Sequence, residues 1–67
     1  MSTLAQKITH LLLGTQSMAE AVQILTSHYP QLSVREAENT VKDIIDYGNQ
    51  KMKESELEYW LKGRGIA

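Results

Sequence analysis

Apolar residues along this chain return every three or four positions, and nowhere do they alternate with period two for long enough to make a strand. Leu4, Ile8, Leu11 and Leu12 share one face of a helix predicted over about 3–13. Ala21, Val22, Leu25 and Tyr29, widened by Ile24, do the same over about 18–28. A third stripe starts near Val34 and runs through Ala37, Val41, Ile44, Ile45, Gly48 and Met52. Gly48 and Asn49 together would suit a left-handed helix end, but Gly48 falls in register and Met52 continues the stripe. The register therefore predicts one helix to around Lys53, about 30 Å long at ~1.5 Å per residue. A short fourth helix over Glu56–Lys62 follows. The expected fold is all-α: a small domain of three to four helices, with a short hairpin, a long third helix and a short C-terminal helix. Residues 1–62 are expected to form that domain, and residues 63–67 a flexible tail.

The start signals agree with this periodicity. Thr3-x-x-Gln6, Ser17-x-x-Glu20, Ser33-x-x-Glu36 and Ser55-x-x-Glu58 all read as capping boxes. In each, a hydroxyl would accept the backbone N–H three residues on, while the Glu or Gln there returns to the cap residue's own N–H. Gly14, Tyr29-Pro30 and Gly63 stand where the helices should stop. The shared S-x-x-E-A of Ser17–Ala21 and Ser33–Ala37 is explained by capping and implies no repeat architecture.

Composition narrows the setting. Sixty-seven residues without cysteine exclude a disulfide-stapled scaffold, and the longest apolar run, Leu11-Leu12-Leu13, is far too short to span a membrane. No signal peptide is evident, so a cytoplasmic protein is expected. The net charge of −1 hides an asymmetry: of fifteen charged residues, only Lys7 and Glu20 precede Arg35. Surfaces that stay wet are rich in charge, and interface cores are depleted in it. A chain this short rarely draws more than about 3–5 kcal/mol from one core without a staple, a metal or a partner. Homodimerisation is then the expected device, with Val41, Ile44, Ile45, Gly48 and Met52 as its seam.

Candidate chemistry is sparse. His10 and His28 lie on different helices with no carboxylate within a turn, which suits surface positions better than a metal site, and no metal or cofactor is expected. Ser17 and Ser33 read as caps rather than nucleophiles. Glu54, Glu56 and Glu58 form a run rather than the converging pair that acid–base catalysis needs, so no enzyme is expected. The residues best suited to hold a partner are Leu57, Tyr59, Trp60 and Leu61, because aromatic anchors dominate interface energetics. Trp60 could equally close its own subunit's core in a protein that has no phenylalanine. Arg35, Lys42, Lys51, Lys53 and Arg64 are the candidate phosphate contacts, with Glu54, Glu56 and Glu58 lying among them in sequence.

Two resemblances bear on function. Leu32-Ser-Val-Arg-Glu-Ala-Glu38 resembles the opening of the LuxR-type helix-turn-helix, L-[ST]-x-R-E-x-E, over seven residues; Asn39 and Thr40 stand where that family has apolar residues. The stretch from Met18 to about Lys53 is similar to the paired amino-terminal helices of the HU and integration host factor proteins, which would imply dimerisation; their basic β-arms have no counterpart here. The expected function is that of a small regulatory or adaptor protein, acting by protein–protein binding as a homodimer. The alternative is a small helix-turn-helix-like DNA-binding transcriptional regulator.

Overall fold

Four helices, and no strand among the described residues, make up the fold in a computed structural model that describes residues 3–66: α1 (Leu4–Leu11), α2 (Met18–His28), α3 (Val34–Gly48) and α4 (Glu54–Gly63). Three of the four expected hydroxyl caps start these helices. Thr3 and Ser33 form reciprocal boxes with Gln6 and Glu36. The Ser33 backbone N–H, and then its hydroxyl, hold the Glu36 carboxyl below its ordinary value. Ser17 accepts the Glu20 N–H, but the Glu20 carboxylate goes to the N–H of Gln16 instead of returning to Ser17.

The fourth box does not form. Helix α4 begins at Glu54, two residues before the expected start, and its N-cap is Lys53, which makes no side-chain cap bond. The physical reason lies across the packing with α1. Glu58 Oε1 accepts the backbone N–H of Ala5 at 3.3 Å, so its carboxylate is engaged there and not at Ser55. Glu54 Oε1 accepts the hydroxyls of Thr3 at 3.0 Å and Tyr47 at 3.2 Å. Glu54 and Glu58, one turn apart, thus converge on the N-terminus of α1, where the unsatisfied N–H groups and the helix dipole favour negative charge. Burial, reinforced by the Glu54 carboxylate, pushes the Tyr47 phenol above its ordinary pKa.

Helix α3 is also shorter than expected. It stops at Gly48 rather than running to Lys53. The Lys51 N–H reaches the Asp46 carbonyl at 2.7 Å and the Gln50 N–H reaches that of Tyr47 at 3.1 Å, which is the paired bonding of a Schellman end. The left-handed residue this motif requires is Gln50, at φ +62°, beyond both Gly48 and Asn49. A side chain there carries a steric cost that glycine avoids. Gln50→Gly is therefore expected to stabilise the fold by about 0.5–1 kcal/mol, the relief of strain exceeding glycine's added unfolded-state entropy. Thermal unfolding followed by circular dichroism should show a midpoint a few degrees higher; a fall would mean that Gln50 makes a compensating contact.

Helix α2 packs mainly on α3, and α4 packs on both α1 and α3. Their shared core comprises Ile8, Leu12, Leu25, Leu32, Val41, Ile44, Leu57, Leu61 and Ile66, with Ala5, Ala21 and Ala37 where backbones approach. Ile66 corrects the expectation of a loose tail after Gly63. Gly65, at φ +79°, sends its N–H to the Lys62 carbonyl, while the Ile66 N–H reaches Leu61 at 3.0 Å and its side chain is fully buried. The chain therefore closes a second Schellman end whose apolar contact completes the core. The Gln31 amide fixes the same turn by donating to the Gly65 carbonyl at 3.0 Å. Ala67, the last residue of the expected tail, lies outside the described residues. No helix among the described residues is long and apolar enough to cross a membrane.

Candidate partner-binding surface

Helix α4 divides the proposed anchor residues between two environments. Leu57 and Leu61, one turn apart, are fully buried against the rest of the bundle. They are core residues and offer no contact to a partner. Tyr59 projects from the opposite side of the helix and Trp60 from its flank, 70% and 46% exposed. Consecutive positions on a helix turn by about 100°, so Tyr59, Trp60 and Leu61 cannot all enter one core.

The exposed aromatic pair is held in a defined geometry. The rings of Tyr59 and Trp60 meet edge to face, with centroids 5.4 Å apart, an arrangement that suits the ring quadrupoles. The Arg64 guanidinium lies 5.9 Å from the Trp60 ring centroid, close enough for cation–π attraction. Arg64 is itself anchored. Its Nη1 sits 2.9 Å from Asp43 Oδ2 and donates to Thr40 Oγ1 at 3.0 Å. Thr40 is the one fully buried polar side chain among the described residues, and its hydroxyl also donates to the Glu36 carbonyl at 2.8 Å. Tyr59, Trp60, Lys62, Gly63 and Arg64 line an open hollow of about 520 Å³. No sequence signal pointed to Thr40 or Asp43 as supports for Trp60, because the link is tertiary.

The expected dimer seam is also divided. Val41 and Ile44 are buried within their own chain, and Met52 is partly buried against the same core. Gly48 is exposed at the end of α3, and Ile45 is 51% exposed. The helix that carries the stripe stops at Gly48, short of the expected length. Ile45 is thus the exposed large apolar residue of the expected seam, and Val34 at 63% and Leu13 at 65% exposure lie outside it. Leu13 and Ile45 flank a groove of about 440 Å³, floored by Leu12, Ala21, Val41 and Ile44. The Leu11–Leu13 run held the signal for Leu13, since three successive apolar residues cannot all turn inward.

The candidate phosphate contacts are dispersed. Arg35 and Lys42 stand exposed on α3, and Lys51 and Lys53 in the loop before α4, while Arg64 is committed to Asp43. His10 and His28 are exposed in the last turns of α1 and α2. Among the described residues, no group of three acidic or histidine side chains is placed to hold a metal ion. Comparison with protein-family models, with curated proteins and with solved structures finds no match to this chain.

Proposed function

We propose that this chain is a small, non-enzymatic regulatory or adaptor protein of the cytoplasm, which works as a homodimer by docking onto another protein. The observation that supports this reading is the Tyr59–Trp60 pair. It is exposed, yet its geometry is held from behind by Arg64, Asp43 and Thr40. An aromatic anchor whose orientation is already fixed gives up little conformational entropy on binding, and most of its contact energy is then available to the complex. Lys62 and the free edge of the Arg64 guanidinium add donors at the rim of the same hollow.

Trp60→Ala separates an anchor from a core residue. The variant is expected to weaken partner binding by about 1 kcal/mol or more, while far-UV circular dichroism keeps the native helicity. The binding assay is affinity capture from an extract of the native cell, with native and Trp60→Ala chains as paired baits. Recovery of the same proteins by both baits would remove Trp60 from the docking surface. Loss of helicity would instead place it in the core.

A further inference from the structure

The outer strip of α3 carries six residues that the rest of its own chain leaves uncovered or only partly covered. At about 100° per residue, Val34, Ile45, Glu38, Lys42, Arg35 and Asp46 follow one another around an arc of roughly 120°. Val34 and Ile45 are the exposed apolar members, 63% and 51% accessible. Arg35 and Lys42 are exposed, and Glu38 and Asp46 are half-buried. The four charged residues form no ion pair in the isolated chain, where Arg64 with Asp43 is the ion pair found among the described residues.

The order of these charges carries information. Along α3 they read positive, negative, positive, negative: Arg35, Glu38, Lys42, Asp46. Reversed, the order becomes negative, positive, negative, positive. A copy of the strip laid antiparallel on the original therefore meets the opposite sign at every position, whereas a parallel copy meets its own sign.

We propose that two copies of this chain pair through α3, antiparallel, about a two-fold axis level with Thr40. Arg35 then faces the partner's Asp46, and Glu38 faces the partner's Lys42. Val34 covers the partner's Ile45, at the mouth of the groove that Leu13 flanks. The midpoints of these three pairings all fall within one residue of Thr40, so charge and hydrophobicity select the same register independently. Such a contact is isologous: each pairing occurs twice and the assembly closes as a dimer. The inference rests on the homodimeric part of the proposed function and makes no use of Tyr59 or Trp60. It also moves the seam from the buried Val41–Ile44 stripe to the neighbouring strip.

Sedimentation of the full chain at micromolar concentration and low salt tests it. The native chain should run as a dimer. Glu38→Lys puts like positive charges face to face at both Lys42 contacts, and Lys42→Glu puts like negative charges face to face at both Glu38 contacts. Each variant alone should therefore dimerise at least about tenfold more weakly. An equimolar mixture of the two should recover the dimer, because every cross-chain pair at these positions is then matched within the heterodimer by one like-charge-free arrangement: the chain carrying Glu38→Lys offers two cations to the two anions of the chain carrying Lys42→Glu. Val34→Ser should weaken the dimer without altering charge, and circular dichroism establishes that each variant is folded. A native chain that stays monomeric at high micromolar concentration overturns the proposal. So does a dimer indifferent to Glu38→Lys, or a mixture that fails to associate. Trp60→Ala should sediment as the native chain does while losing its protein partner, so failure of the seam and failure of the anchor give separate results.

Discussion

Leu61→Ala is expected to leave much of the population unfolded at 25 °C, and Trp60→Ala, at the residue beside it, to fold much as the native chain does. Leu61 is fully enclosed and meets Ile66 at the end of α4. Removing its branched side chain forfeits the transfer energy and leaves a cavity, a loss of about 2–5 kcal/mol in well-packed cores. A domain of this size has only about 3–5 kcal/mol in reserve when it stands alone. The two ranges overlap, so a mid-range loss brings the folded fraction near one half. Urea titration followed by far-UV circular dichroism measures this directly, with Trp60→Ala as the companion. An unmoved midpoint for Leu61→Ala would contradict the placement of α4 on the core. Dimerisation would make the reserve grow with protein concentration, so the titration is informative at two concentrations.

That contrast shows which kind of information the sequence holds. The apolar period located α2 at its observed bounds, because Ser17 and Tyr29-Pro30 punctuate it with local chemistry. Thr3 and Ser33 marked their helices for the same reason: a cap is a contact between residues three apart. Local pattern misleads where a residue's decisive partner lies far along the chain, or where a residue takes a backbone conformation that its type does not favour. Glu58 belonged by local pattern to Ser55, but the N–H of Ala5 takes its carboxylate across fifty-three positions. The end of α3 is not legible in the sequence because Gln50, not the neighbouring Gly48 or Asn49, takes the left-handed position, and glutamine has no preference that announces it. Ile66 reads locally as part of a loose end, because a single apolar residue after two glycines shows no period, although its burial completes the core. The candidate surface divides in the same way. Exposure of one among Tyr59, Trp60 and Leu61 followed from helix geometry alone, whereas which residues face outward, and what braces them, depends on Arg64, Asp43 and Thr40.

Arg64→Ala is expected to cost about 2 kcal/mol of stability and to release Trp60 at the same time. Breaking a fully buried ion pair from one side costs about 3–5 kcal/mol, because the remaining charge is stranded. Here the Arg64 and Asp43 side chains are 15% and 19% exposed, so water screens part of the loss and the lower figure follows. Thr40 loses a donor as well, but keeps its bond to the Glu36 carbonyl. If the stranded Asp43 carboxylate is the main penalty, Arg64→Ala with Asp43→Ala should be no less stable than Arg64→Ala alone. Simple addition of the two single losses would show that Arg64 acts through packing on Trp60 instead. Fluorescence separates structural from functional consequences, since the single tryptophan reports on its own surroundings. Its anisotropy should fall in Arg64→Ala under conditions where circular dichroism still shows a folded helix bundle. Partner capture should then weaken even though Tyr59 and Trp60 are both present, because an anchor that must be ordered on binding has lost the advantage of having been held in place.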